Sequence, residues 1–204
     1  MKKLYSLALI LAAVAVVAAA ARTTCRTGSA GDAKAAVAIG AVVADFTLPD
    51  ADGREHTLAS LKGSKGTVLI FMATRCPVSN AYNERMRKLA DDYRARGVNV
   101  VGINANYNEP PEEVREHAAK KGLTFTILKD DGSKIADRFD AQYTPEAYLL
   151  DASGKLVYHG RIDNSRSGDS VTANDLRDAV EAVLAGKPVE RPEVKGFGCT
   201  IKRG

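Results

Sequence analysis

Apolar and polar positions along this chain follow two periods, and each change of period marks an element. Thr67-Val68-Leu69-Ile70-Phe71 is a continuous β-rich apolar run bounded by Gly66, which predicts a buried strand over 67–72. From Val78 the period becomes helical. Val78, Tyr82, Met86, Leu89 and Tyr93 share one face, so a helix is expected over 78–96, ended by Gly97. Val98 to Ile103 reads as a second buried strand. Pro110-Pro111-Glu112-Glu113 opens a helix with early acidic charge, and Lys120, Lys121 and Gly122 close it. Thr124 to Leu128 is a further strand and Ser133 to Phe139 a short helix. Ala147–Leu150 and Leu156–Tyr158 flank the turn Asp151-Ala152-Ser153-Gly154, a hairpin. Thr172 and Asp175 have the spacing of a capping box for a last helix, whose inner face is Leu176, Val180 and Val183 and whose end is Gly186. Ahead of all these, Asp45–Leu48 and His56–Leu58 form a strand pair around Asp52-Gly53.

Strands separated by helices pair in parallel, and the late hairpin adds an antiparallel pair. The expected architecture is α/β, a mixed central sheet flanked by helices with an N-terminal strand extension. Outside it the pattern changes again. Lys2 and Lys3, the apolar stretch Leu7–Val17 and the alanines ending at Ala21 have the layout of a secretory signal peptide over 1–21. The apolar stretch is short for a span, so no stable membrane anchor is expected. Arg22, Thr23 and Thr24 before Cys25 do not suit lipid attachment. Export places the chain where disulfides persist: the periplasm if the source is Gram-negative, otherwise the extracellular space. Residues 22–38 read as a flexible leader, 39–186 as the domain, and 187–204, with Pro188, Pro192 and Gly196, as an extended tail. Without the signal, 27 basic residues face 25 acidic ones. So even a balance gives no footing for binding nucleic acid.

Chemistry concentrates at Cys76, where the strand over 67–72 gives way to a helix. A thiol there meets unpaired backbone N–H groups and the positive end of the helix, both of which favour the reactive thiolate. Arg75 adds a neighbouring positive charge and Pro77 suits the first helical position, so both are assigned to lowering the Cys76 pKa. Ser79 stands three residues on, where a dithiol site would carry its second sulfur. Its hydroxyl could donate toward Cys76, but a resolving thiol must come from elsewhere. Cys199, in the tail, is the candidate. Pairing of Cys199 with Cys25, or a free Cys199, are the alternatives, since three cysteines leave at least one outside an internal pair. Pro145 sits at the first residue of a strand, where a missing N–H is tolerated.

Phe71 to Ser79, Thr144-Pro145 and the strand order together resemble the thioredoxin fold. Ala73-Thr74-Arg75-Cys76-Pro77 is similar to the active-site segment of the thioredoxin and peroxiredoxin superfamily. Asp45-Phe46-Thr47-Leu48 and Asp52-Gly53…Leu58…Leu61-Lys62-Gly63 resemble the opening of redoxins of the alkyl hydroperoxide reductase and thiol-specific antioxidant type. With Tyr158–Asn164 and the ending Gly198-Cys199-Thr200-Ile201-Lys202, the likeness covers about Gly40 to Arg203 and points to a peroxiredoxin-like redoxin. The resemblance implies a cis Thr144–Pro145 bond facing Cys76, with Thr144, Pro145 and Ser79 contacting substrate. It implies thiol or disulfide proteins, or small peroxides, as substrates, an external thiol as reductant, and no cofactor. Two departures bear on the reaction. Peroxiredoxins place a threonine three residues before the reactive cysteine, where this chain has Ala73, with Thr74 one place off. Ser79 replaces a second cysteine. Monothiol exchange at Cys76 is therefore the leading expectation, with a peroxidase resolved by Cys199, or a non-catalytic binding module, as alternatives.

Other polar residues have plainer expectations. His56, His117 and His159 are scattered and predict no metal site. Arg161 and Asp163 are expected to form a surface ion pair, and Asp130-Asp131-Gly132 a turn. Asn104 and Asn106, at a strand's carboxyl end, could line the cleft.

Overall fold

The computed structural model describes residues 36–204. The segment 1–21, Cys25 and the leader up to residue 35 lie outside the described residues. In chain order the elements are β1 (Thr47–Pro49), β2 (Glu55–Thr57), a 3₁₀ turn (Ala59–Leu61), β3 (Gly66–Phe71), α1 (Pro77–Ala81), α2 (Asn83–Arg94), β4 (Val98–Asn104) and α3 (Pro111–Lys121). Then follow β5 (Ile127–Lys129), α4 (Lys134–Phe139), β6 (Tyr143–Thr144), β7 (Glu146–Asp151), β8 (Leu156–Gly160), α5 (Asp175–Leu184), β9 (Glu193–Val194) and β10 (Cys199–Thr200).

The central sheet has the order β5-β4-β3-β7-β8-β9. β3, β4 and β5 are parallel, while β7 runs antiparallel to both β3 and β8. β3 is buried along its whole length, which is why its sequence is continuously apolar rather than alternating. Its side chains feed two cores in turn. Val68, Ile70 and Met72 pack with Met86, Leu89, Tyr93, Leu176 and Val180 on one face. Leu69 and Phe71 pack with Leu48, Leu58, Ile135, Phe139 and Tyr148 on the other. The fold is thioredoxin-like, as the sequence led one to expect. Among the described residues no helix is long and apolar enough to cross a membrane.

Several expectations need correcting. The helix expected over 78–96 is broken at Tyr82, whose N–H reaches Ser79 O (3.0 Å), a 3₁₀ bond in place of an α-helical one. The strand expected over 124–128 forms at Ile127–Lys129, where it pairs with Gly102–Asn104. The capping box is absent: Asn174 is the N-cap without a side-chain bond, and Asp175 instead pairs with Arg161 (2.6 Å) and Arg191 (2.8 Å). Asp163 is buried rather than superficial. It accepts from Arg85 (2.6 Å), Tyr82 Oη (2.8 Å) and Ser165 N (2.9 Å), and forms no pair with Arg161. Asp130-Asp131-Gly132 does form the expected turn, closed by Ser133 N donating to Asp130 O (3.1 Å), and the buried Asp130 side chain also takes the N–H groups of Ile135 and Ala136 that open α4. The end of the leader is tied down, since Val37 N donates to Arg138 O (3.0 Å) and Val37 packs on the core.

A cysteine pair beside a cis-proline

The register of β3 with β7 builds the site. Phe71, the last residue of β3, pairs with Glu146, the first of β7. The loop leaving β3 and the loop entering β7 therefore meet at one end of the sheet. The first carries Cys76 and the second Thr144–Pro145, whose peptide bond is cis. Cys76 Sγ lies 3.3 Å from Thr144 O.

Cys76 is the N-cap of α1, and Pro77 occupies the first helical position. Its sulfur accepts the Ser79 N–H at 3.3 Å. Because α1 has only five residues, this local N–H, rather than the dipole of a long helix, is what the sulfur meets. Ser79 is fully buried and its hydroxyl accepts the Ala73 N–H (3.1 Å). It braces the loop instead of donating to Cys76, and it has no surface to offer a substrate. Arg75 also departs from expectation. Its guanidinium turns outward to Glu113, and that hydrogen-bonded carboxylate raises the Arg75 pKa while Arg75 holds the Glu113 carboxyl below its usual range. The positive charge is matched there and is not presented to the sulfur.

Glu109 holds the loop from the other side, a role that the sequence does not reveal. It is 1% exposed and accepts four hydrogen bonds: Thr74 N (2.8 Å) and Asn104 Nδ2 (2.6 Å) at one oxygen, Arg75 N (3.0 Å) and Asn106 Nδ2 (2.9 Å) at the other. Burial pushes its carboxyl up, but the four donors outweigh burial and hold it below the ordinary range. Lys129, also buried, completes the network by donating to Asn104 Oδ1 (3.1 Å) and Asn106 O (2.6 Å). Asn104 and Asn106 thus sit at the site as supports, not as open cleft lining. Thr74 Oγ1 bonds Glu113.

The tail closes the site. β10 pairs antiparallel with β6, placing Cys199 opposite Thr144 and Thr200 opposite Tyr143. Cys76 and Cys199 are disulfide-bonded, 123 residues apart in sequence, with Cα atoms 5.9 Å apart. Beyond Cys199, Ile201 N donates to Gln142 O (3.0 Å) and the side chain is buried in the core (3% exposed). Lys202 N donates to Asn106 Oδ1 (2.7 Å), and Tyr107 N donates to Lys202 O (2.9 Å). Gly198 lies so close to the Thr144 backbone that a Cβ would overlap its carbonyl. The tail is extended, but it is a docked strand and not a swinging arm. Glu146 shapes the strand it docks on, accepting Gln142 N (2.7 Å) and Tyr143 N (3.0 Å) while its other oxygen meets His159 Nε2 (2.6 Å). His56 is likewise carboxylate-paired, to Asp50 (2.9 Å). Among the described residues no three His, Cys, Asp or Glu side chains cluster as a metal site would require.

A cysteine at a strand–helix junction, facing a cis-proline on a mixed sheet, is an arrangement of the thioredoxin-like kind. A family model, the AhpC/TSA family, matches residues 39–159. The thiol-disulfide oxidoreductase ResA of Geobacillus thermodenitrificans is 34% identical over 123 residues, covering 60% of this chain and 69% of that protein. The chloroplastic peroxiredoxin Q of Gentiana triflora is 28% identical over 144 residues, covering 66% and 65%. The crystal structure of a hypothetical protein from Sinorhizobium meliloti 1021 superposes with a TM-score of 0.77 at 39% identity, covering 83% of this chain and 97% of that one. The chain belongs to the AhpC/TSA family, and it is an oxidoreductase.

Proposed function

We propose that the protein is an exported thiol–disulfide oxidoreductase in which Cys76 is the nucleophile and Cys199 resolves. The observation that carries this reading is the Cys76–Cys199 disulfide beside the cis Thr144–Pro145 bond. In the reduced protein the Cys76 thiolate attacks one sulfur of a substrate disulfide. Its S–S bond breaks, one substrate thiolate leaves, and a mixed disulfide forms on Cys76. The Cys199 thiolate then attacks Cys76 Sγ and expels the second substrate thiolate. Two electrons have passed to the substrate, and the protein holds the Cys76–Cys199 disulfide. An external thiol reductant returns the two electrons. The Ser79 N–H stabilises charge on Cys76 sulfur whenever it is the attacking or the leaving group. The sequence of residues 1–21 supports export.

The likeness to a peroxiredoxin keeps peroxide as the rival oxidant. The loop speaks against it. Ala73 offers no hydroxyl, and the Thr74 hydroxyl is engaged by Glu113 and so is not free to orient a peroxide. The test is a pair of turnover assays with one dithiol reductant, reading disulfide reduction and hydrogen peroxide consumption in parallel. The account expects the disulfide to turn over faster. Faster peroxide consumption overturns it in favour of a peroxidase resolved by Cys199. No turnover with either oxidant favours a binding module.

A further inference from the structure

Thioredoxin-like sites leave a strand edge beside the cis-proline. Here that edge is filled from within the chain. Resting on the function proposed above, we infer that the docked tail makes Cys76 selective for low-mass disulfides and excludes extended protein strands. Four observations converge. Cys199 and Thr200 already take the antiparallel pairing at Thr144 and Tyr143. Ile201 is anchored in the core, and Gln142 O is spent on its N–H. The Asn106 side chain and the Tyr107 N–H grip Lys202 from the far side. None of these three holds involves sulfur, so breaking the Cys76–Cys199 bond leaves them in place. Finally, the backbones of Gly198 and Thr144 are in direct apposition, leaving no gap for a second strand between them.

A protein strand must therefore displace a tethered competitor. A tethered segment acts at an effective concentration on the order of 1 mM, so a free strand at ~10 μM starts with a handicap of about a hundredfold. A low-mass disulfide needs no strand edge. It needs only a line of approach to Cys76 Sγ. The docked tail then keeps Cys199 in place for the second step. The balance is one low-mass disulfide and two protein thiols giving two low-mass thiols and the Cys76–Cys199 disulfide.

The test uses the full chain with Cys25→Ser and Cys199→Ser, which leaves Cys76 as the sole thiol of the three. Rates of mixed-disulfide formation are measured with oxidised glutathione and with insulin. The same pair of rates is then measured after adding Gly198→Val, which clashes with Thr144, or separately Ile201→Ser, which removes the apolar anchor. Release of the tail should raise the insulin rate relative to the glutathione rate by at least about tenfold in both variants, a tenth of the hundredfold handicap being allowed for incomplete release. An unchanged ratio in both variants overturns the inference, and if Cys76 still reacts with both disulfides the proposed function stands. No reaction of Cys76 with either disulfide overturns both.

Discussion

Replacing Glu109 by glutamine tests whether a buried carboxylate holds the reactive loop. The substitution keeps shape and volume but turns one acceptor oxygen into an NH2 donor. Each Glu109 oxygen accepts one backbone N–H and one asparagine amide: Thr74 N and Asn104 Nδ2 at one, Arg75 N and Asn106 Nδ2 at the other. Whichever oxygen is replaced, two donors are left facing a third. Orphaning a buried donor costs about 1–3 kcal/mol, with bonds to charged acceptors at the upper end, so the pair together should cost about 3 kcal/mol. At about 2–4 °C per kcal/mol for a chain of this size, the melting temperature should fall by about 6–12 °C. Denaturant unfolding of the disulfide-intact protein gives the free energy directly. There is also a pH signature. The Glu109 carboxyl lies below its usual value in the folded state. Its contribution is therefore fully present above the unfolded value of 4.5, and is lost as pH falls through the folded value. The wild type should lose stability on acidification below 4.5 more steeply than Glu109→Gln. A loss under about 0.5 kcal/mol, the range of an ordinary surface substitution, with parallel pH profiles would refute the role assigned to Glu109.

Three further outcomes are expected. Reducing the Cys76–Cys199 bond should lower the unfolding free energy by about 2–4 kcal/mol, because the bond closes a long loop; an unchanged urea midpoint would mean that the tail adds no constraint. Gly102→Ala should cost about 1–3 kcal/mol by overpacking, since a Cβ there would meet Met72 Sδ at 2.8 Å and Phe125 and Ile127 at 3.1 Å. Equal stability of the two proteins would show that the core gives way. Ser79→Cys should leave disulfide turnover unchanged, because the side chain is buried and aimed at the Ala73 N–H with Cys199 already in place. Faster turnover would show instead that a sulfur at 79 reaches Cys76.

The legible parts of this fold are those dictated by local periodicity. The continuous apolar run Thr67–Phe71 and the i, i+4 series from Val78 to Tyr93 place Cys76 at a strand–helix junction, because burial on two faces or one writes directly into sequence. Pro145 at a strand start is legible for the same local reason. What escapes is decided by contacts distant in the chain. Glu109 looks like one more acid ahead of Pro110-Pro111, yet its partners are Thr74 and Arg75, 35 and 34 residues away. Asp163 looks like a surface charge beside Arg161, but Arg85, 78 residues earlier, claims it. Arg75 stands next to Cys76 in sequence, but Glu113, 38 residues on, claims its guanidinium. The tail shows the same limit. Its prolines and glycines announce extended backbone, but only the register against Thr144 turns an extended segment into a docked strand.

The central claim is an ordered exchange in which Cys76 attacks and Cys199 resolves. Trapping the mixed disulfide tests it most directly. Reduced Cys199→Ser and Cys76→Ser variants are mixed with a disulfide substrate, quenched with an alkylating agent and mapped by mass spectrometry. The account predicts a persistent adduct on Cys76 in Cys199→Ser, and neither adduct nor turnover in Cys76→Ser. An adduct on Cys199, or turnover that survives the loss of Cys76, would contradict it.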